Sequence, residues 1–262
     1  MTSTAPKISI GIVIYNGDKH IGHALKSIIG QPYKNIELIV VDGGSTDDTL
    51  GVLEEYSKYI SVMISEPDDG IYDAMNKVCS LATGDWLIFL GCDDVLLDTF
   101  CNIPAHLCKR EAVYYGDVIK KSNREKDGGE FSKYRLMHQN ICHQGIFYPT
   151  TVFKEYTYSL HYKWLADYAY NLKLFGNKIE FIYTGITVSI YNDSGLSSQG
   201  DPDFSKDQIK LIRTSFGSTY ALIEILRRLG FKFAALAGIV IKRLLPYSYW
   251  KYCRSLWRRL LK

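Results

Sequence analysis

The chain has 262 residues, 47% hydrophobic and 23% charged, which fits one α/β domain with an appendage and excludes a disordered or fibrous polymer. The net charge of +3 conceals an asymmetry: Ile225 to Lys262 holds ten Lys or Arg and no acid, so the first 224 residues carry a net −7. The six cysteines form no C-x-x-C pair, which argues against a zinc ribbon. With no signal peptide in the polar Met1–Lys7 start, these scattered thiols point to a reducing cytoplasm. The longest fully apolar run, Phe233 to Ile241, is nine residues, about half of a spanning helix.

Along the first hundred residues the hydrophobic period switches repeatedly. Ile8 to Ile14 reads as a strand. Asp18 to Ile29 reads as a helix with Ile21, Ala24, Leu25, Ile28 and Ile29 on one face. Ile36 to Val41 is apolar enough for a strand buried on both faces. Ser45-Thr-Asp-Asp48 resembles a capping box and opens a helix to about Tyr59. Ile60 to Ile64 is a third strand, Ile71 to Ala82 a helix, and Trp86 to Leu90 a fourth strand. This alternation predicts βαβ units around a parallel sheet. Further on, Ala112 to Ile119 and Gly145 to Tyr148 read as strands, Lys120 to Gly129 as a mobile loop, and Trp164 to Phe175 as a helix. Ile179 to Tyr191 has room for two strands, Asn192 to Pro202 is loop-like, and helix dominates after that.

Ligands of an open parallel sheet bind at the carboxyl ends of its strands. Three acidic clusters fall there: Asp42, then Asp68 and Asp69, then Asp93 and Asp94. A lone aspartate after a strand is commonly the cap of the next helix. Three clusters on one rim would repel one another unless a cation or donor groups compensate, which favours a site. There is no G-x-G-x-x-G after the first strand and no G-x-x-x-x-G-K-[ST], so a bound phosphate would depend on a metal or on basic side chains. Adjacent carboxylates such as Asp93-Asp94 suit Mg²⁺ or Mn²⁺.

Three segments then carry a resemblance: Val40-Val-Asp-Gly-Gly-Ser-Thr-Asp-Asp-Thr49, Glu66-Pro-Asp-Asp-Gly-Ile-Tyr-Asp-Ala-Met-Asn-Lys77, and Ala82-Thr-Gly-Asp-Trp-Leu-Ile-Phe-Leu-Gly-Cys-Asp-Asp94. In this order they resemble the family 2 glycosyltransferases, and among them bacterial enzymes of surface-polysaccharide synthesis. The match is strong over residues 7–95 and fainter to about 200. It implies a GT-A fold, a Rossmann-like nucleotide-diphospho-sugar transferase with a mostly parallel sheet flanked by helices. Residues 1–205 would form the catalytic domain, with 7–95 binding the nucleotide sugar and 96–205 the acceptor. Residues 206–262 would form a helical basic tail.

The resemblance also implies roles. Asp42 matches a contact to the nucleotide base, and Asp69 and Asn76 belong to the segment around the nucleotide. Many relatives carry Arg where this chain has Met75. Asp93 and Asp94 match the D-x-D-type motif, with Asp93 facing the ribose and Asp94 holding a divalent Mn²⁺ or Mg²⁺ on the diphosphate; the first position of that motif is Cys92. The family's general base lies about seventy residues further on at a helix start, and Asp167 stands 73 residues after Asp94. An ordinary first-turn aspartate is the competing reading of Asp167. His143-Gln144 resembles a segment near the acceptor, and reads equally as a half-buried polar pair. Ser194 to Ser197 resembles a loop near the donor. No Gln-x-x-Arg-Trp occurs, which favours transfer of a single sugar over processive synthesis.

In projection, Tyr247 to Lys262 places Trp250, Cys253, Trp257, Leu260 and Leu261 opposite Lys251, Arg254, Arg258 and Lys262. Such a helix suits an anionic membrane surface, or packs on the protein's own core. The expectation is an inverting transferase that moves one sugar from a nucleotide-diphosphate sugar to a hydroxyl of a lipid-linked glycan. It would be peripheral on the inner face of the membrane, held there through residues 225–262, with no nucleic acid as partner. The rival functions are a sugar-nucleotide-binding protein without turnover, a nucleotidyltransferase, and a membrane scaffold.

Overall fold

The computed structural model describes residues 5–195 and 200–230. The expectations placed on residues 231–262, including the amphipathic projection, lie outside the described residues.

β1 (Ile8–Ile14) is flanked by β2 (Ile36–Asp42) and β4 (Trp86–Phe89), and β3 (Val62–Ser65) lies beyond β2; all four are parallel. The order β3-β2-β1-β4 reverses direction at β1, so the crevice at the carboxyl ends of β1 and β4 is a topological switch point. The connecting helices are α1 (Asp18–Ile29), α2 (Thr49–Glu55) and α3 (Ile71–Leu81). Beyond β4 the sheet becomes mixed. β8 (Ile146–Pro149) runs antiparallel to β4 and to β6 (Val113–Lys120), and β6 runs parallel to β9 (Phe181–Tyr191). Short β5 (Val95–Leu96) closes that edge against β9. Where two strands were expected over Ile179 to Tyr191 there is one, made irregular by register shifts opposite Tyr115–Val118.

The β2 sequence explains why both faces are covered. Leu38 and Val40 point into a core with α1 residues Ile21, Leu25 and Ile28, while Ile39 and Val41 point into a second core with Met75, Val78 and Tyr148. Gly11 lets α3 sit close on β1, since a Cβ there would meet Val78 Cγ1 at 2.5 Å. Much of the tyrosine content serves packing: Tyr148, Tyr158 and Tyr170 are buried together with Phe153. Met75 is buried in that core and offers a phosphate nothing.

Several local expectations change. The helix after Asp42 starts at Thr49, and the capping-box pairing of Ser45 with Asp48 does not form. Asp47 instead accepts the Thr49 N–H, and Ser45 donates to Asp42. The segment read as a mobile loop contains β7 (Lys126–Asp127), paired with β6. It is held by the buried Asp117, which accepts from Lys126 Nζ at 2.5 Å, Gly129 N at 2.6 Å and the Tyr183 hydroxyl. Gly128 at φ 152° is required there, because a Cβ would lie 2.1 Å from Asp117 Oδ1. Charge and glycine content suggested mobility because the partner of Lys126 lies nine residues back and out of sight of local pattern.

The domain boundary expected near 205 falls inside one helix, α6 (Pro202–Phe216). Its Phe204 and Ile212 are buried against the body, and Phe204 stacks on Tyr168 of α5 (Ala166–Gly176). A further helix over 218–230 docks through the buried Glu224, which pairs with Arg227, Arg228 and His138. Two of the ten basic residues counted from Ile225 onward, half-exposed Arg227 and Arg228, therefore share one buried carboxylate.

At the opposite end of the sheet from the crevice, Glu37 ties the starts of three strands. It accepts from Lys7 Nζ (2.7 Å), Ser9 Oγ (2.6 Å), and Thr83 N (2.8 Å) and Oγ1 (2.5 Å). Burial opposes its charge, but these donors win and hold its carboxyl down at about 2. A depressed carboxyl stabilises the fold fully above its ordinary value of 4.5, and the contribution fades as pH falls from there towards 2. Glu37→Gln is expected to cost about 2–4 kcal/mol at neutral pH in a denaturant melt. The difference from wild type should narrow over that acid window; a gap independent of pH would show that the charge contributes nothing.

Candidate active site

Four loops leave the carboxyl ends of the parallel strands and are stitched together. Asn16, at φ 53°, accepts the Thr46 N–H at 2.8 Å and donates its own N–H to Ser45 Oγ at 2.8 Å. Gly17 N–H donates to Thr49 Oγ1 at 2.9 Å. Asp42 is fully buried and accepts from Gly44 N (3.2 Å), Ser45 N (3.1 Å), the Ser45 hydroxyl and Ser65 Oγ (2.7 Å). Its carboxylate thus orders the 42–45 loop and keeps no free edge. Asp69 is exposed on the β3–α3 loop, where Gly70 sits at φ 111°. Asn76 differs from expectation: its amide donates to Tyr158 O at 3.0 Å and accepts from Tyr158 N at 2.9 Å. Both ends of its side chain are engaged by the 158 turn.

Asp93 and Asp94 follow β4. Asp94 is 1% exposed; it accepts from Gly91 N (2.8 Å), Gln144 Nε2 (2.9 Å) and Asn192 N (2.8 Å). Burial raises its carboxyl above the usual range, the Asp93 charge adds to this, and the three N–H groups offset only part. Asp93 is half-buried, with one oxygen accepting from Asn192 Nδ2 at 2.7 Å. Lys121 Nζ reaches the Asp93 carbonyl at 3.4 Å. Burial, then Asp93 and Asp94, push the Cys92 thiol up to about 12, so it stays protonated and adds no charge.

These residues fit a divalent cation. They are hard-oxygen donors with uncompensated like charge, and one Asp93 oxygen has no protein donor assigned to it. Among the described residues no group of three or more His, Cys, Asp or Glu forms a ready cage. The more accessible carboxylate of the pair is Asp93, not Asp94.

Asp167 lies in the first turn of α5 and is 6% exposed. Its Oδ1 accepts from the Tyr72 hydroxyl at 2.9 Å, which also reaches Trp164 O at 2.8 Å. Burial, then the Asp167 charge, drive the Tyr72 hydroxyl far above its ordinary value, so it remains a donor. Oδ2 accepts from Asn140 Nδ2 at 2.8 Å. Behind it, Asn171 Nδ2 donates to Asn140 Oδ1 at 2.9 Å and the Tyr148 hydroxyl donates to Asn171 Oδ1 at 2.7 Å. This buried relay fixes each amide's direction and aims donors at the carboxylate.

His143 and Gln144 form a 3₁₀ turn between the two acidic centres. His143 Nδ1 lies 3.5 Å from Asp167 Oδ2, while Gln144 reaches Asp94, is fixed by Cys142 Sγ at 2.8 Å, and accepts Ser189 Oγ on its carbonyl. The structure thus brings His143, Gln144, Asp93, Asp94 and Asp167 together, and Asp42 and Asp69 line the neighbouring loops. Sequence reasoning missed Tyr72, Asn140 and Asn192. Each is one ordinary polar residue, and no spacing or pairing in the chain points to its distant partner.

Comparison with known proteins now applies. The profile described as Glycosyl transferase family 2 matches residues 9–173. The chain belongs to this family. It is 39% identical over 201 residues to a PGL/p-HBAD biosynthesis glycosyltransferase of Mycobacterium bovis, covering 73% of this chain and 78% of that one. Among solved structures, residues 1–349 of S. aureus TarS in complex with UDP-GlcNAc superpose with a TM-score of 0.65 at 19% identity, over 80% of this chain and 66% of that one. The chain spans 39% of a longer TarS structure. A mannosyltransferase from Pyrobaculum calidifontis, in complex with GDP-Man and Mn²⁺, matches with a TM-score of 0.65 at 14% identity, over 99% and 82% of the two chains. The glycosyltransferase is therefore of the GT-A type, as the sheet order indicates. No helix among the described residues is long and apolar enough to cross a membrane.

Asn140→Ala would free Asp167 Oδ2 and break the relay to Asn171. Turnover should fall by up to about 10²-fold with little change in donor KM, since misplacing a reacting group costs rate more than binding. A rise in donor KM at unchanged turnover would place Asn140 with the donor instead.

Proposed function

We propose that this glycosyltransferase moves one sugar, with inversion, from a nucleotide-diphosphate sugar to an acceptor hydroxyl. The observation that carries the reading is the 143–144 turn, which links the first-turn carboxylate Asp167 to the strand-end pair Asp93-Asp94 in one framework. Asp167 takes the proton as the acceptor oxygen attacks the anomeric carbon. The new C–O bond forms as the bond to the diphosphate breaks, and its electron pair leaves on the nucleoside diphosphate. Asp94 with Asp93 would hold a Mn²⁺ or Mg²⁺, which when bound neutralises charge on the diphosphate. Tyr72 and Asn140 keep Asp167 oriented, and the buried Asn171 and Tyr148 exclude water behind it.

Donor binding falls to the loops at the carboxyl ends of β1 to β4. Asp42 contributes through the loop it orders beside the base, Asp69 from its exposed position, and Asp93 towards the ribose. His143 and Gln144 face the acceptor side. Support for a sugar-nucleotide donor comes from the UDP-GlcNAc and GDP-Man complexes of the structural neighbours, one of which carries Mn²⁺. The acceptor is proposed to be a lipid-linked glycan, reached from an anionic membrane surface through the basic residues of 225–262 on its inner face.

Asp167→Asn keeps the side-chain shape and removes the base. Turnover should drop by roughly 10²–10⁴ while donor affinity holds, whereas Asp42→Ala should chiefly weaken donor binding. Wild-type turnover by Asp167→Asn would move the base to Glu155 or Asp193. Chelator should abolish transfer and Mn²⁺ or Mg²⁺ restore it. Full activity of Asp94→Ala in chelator would sink the metal assignment. Nucleoside diphosphate is the expected product, and release of pyrophosphate would indicate nucleotidyl transfer.

A further inference from the structure

The helix over 218–230 has two unlike faces. One carries Ala221, Glu224 and Arg228 against the body, with Glu224 fully buried and Arg228 reaching Gln208 Oε1 at 2.6 Å. The other carries Leu222, Ile223, Leu226 and Leu229, at relative exposures of 54%, 38%, 58% and 44%. Their spacing is i, i+1, i+4, i+7, which on a helix is a single stripe of about 120°. Leucine-rich stripes of this kind on a protein's surface mark contact with another apolar phase or partner. The helix docks through its other side, where Ala221 packs on Met137 and Ile212 and Glu224 meets His138, so its docking does not use the stripe.

We propose that this stripe is a membrane-insertion face, and that its partner is an anionic lipid bilayer. It deepens the membrane-facing part of the function proposed above and rests on that part. Two observations favour lipid over a protein partner. First, the chain that continues from this helix, residues 231–262, holds eight Lys or Arg and no Asp or Glu, which complements anionic headgroups. Second, the body adds an interfacial edge beside the same helix. Lys133 Nζ lies 5.9 Å from the Tyr220 ring, and Tyr134, 55% exposed, packs on His138, the partner of Glu224. Tyrosine and lysine are the residues that settle at headgroup depth. The segment from Tyr134 to Asn140 also carries the amide that orients Asp167, so a membrane held by the stripe lies in fixed register with the catalytic base.

Charge and apolar insertion separate by salt, since screening weakens only the first. Flotation is run with the full chain on vesicles of phosphatidylglycerol and phosphatidylcholine, at low and high salt. The comparison proteins are Leu222→Gln/Leu226→Gln and Lys251→Gln/Arg254→Gln/Arg258→Gln. Wild type should keep part of its binding at high salt. The leucine variant should lose that part, with partition at least about tenfold weaker, because burying even one leucine side chain outweighs a tenfold change in equilibrium. The charge variant should lose mainly the low-salt part. Sugar-nucleotide hydrolysis without vesicles should match wild type in the leucine variant, which shows that it folds. A Leu226→Trp protein should also gain blue-shifted emission with these vesicles. Equal flotation of wild type and leucine variant, or no blue shift, overturns the stripe as the insertion face while leaving charge-driven binding intact. No flotation by any protein overturns both. Self-association of wild type in solution that the leucine variant abolishes would assign the stripe to a second copy of the chain and overturn the proposal.

Discussion

A carboxylate with 1% exposure cannot stay at a strand end without donors, and the need to satisfy Asp94 joins the two halves of this molecule. Its own strand supplies only the Gly91 N–H. The other two donors come from the turn before β8 and from the end of β9, 50 and 98 residues away. Gln144 and Asn192 therefore bring the segments before β8 and after β9 to the crevice at the end of β4. Asp167 follows from the same tie, because His143 is the neighbour of Gln144. Register along β8 and β9 is set in part by a polar demand at one buried oxygen pair, on top of the apolar pattern that selects which face of each strand is covered.

Three other buried acids behave differently. Glu37, Asp117 and Glu224 are each as buried as Asp94 or nearly so, yet each is held below its ordinary range. In each, burial is the largest influence and opposes the charge. Lys7, Lys126, or the pair Arg227 and Arg228, together with added hydroxyl or N–H donors, overcome it. At Asp94 burial again opposes the charge, its three N–H donors offset this only in part, and Asp93 stands beside it, so its carboxyl is raised. Asp201, also buried and held by backbone N–H groups, is lowered without any basic side chain among its causes, so the raised carboxyl of Asp94 reflects its deeper burial together with the like charge of Asp93, the condition under which a cation brought by a ligand would be most stabilising. Asp167 resembles Asp94 in geometry: the Tyr72 hydroxyl and the Asn140 amide orient it, and His143 lies beside it.

This also explains what was legible in the chain. The βαβ half followed from hydrophobic period, and the strands of β1, β2 and β4 fall within a residue or two of where the pattern put them, because burial on both faces makes that pattern dense. Asp93 and Asp94 could be singled out because their place at a strand end is local information, whereas Asp167 is reached through the resemblance to family 2 glycosyltransferases. The donors that hold them could not be singled out. Asn140 and Asn192 lie in irregular segments, and Tyr72 looks like one more apolar position on the buried face of α3. The same limit produced the misreading at 120–129, where the buried Asp117 is also held by the Tyr183 hydroxyl 66 residues on, and local composition speaks only of exposure.

The end of the described chain extends the same physics to the surface. Counting charges from Ile225 onward treats Arg227 and Arg228 as free, yet Glu224 lies one residue before the count begins and pairs with both. That buried cluster, with His138, locks the helix over 218–230 in rotation about its own axis: turning Glu224 inward necessarily turns Leu222, Leu226 and Leu229 outward. Exposure of the leucines is thus a consequence of a polar clamp, strong enough to keep an apolar stripe in water where rotation by half a turn would bury it. The stripe's registration to the segment carrying Asn140 means that whatever it meets is held at a set distance and angle from Asp167.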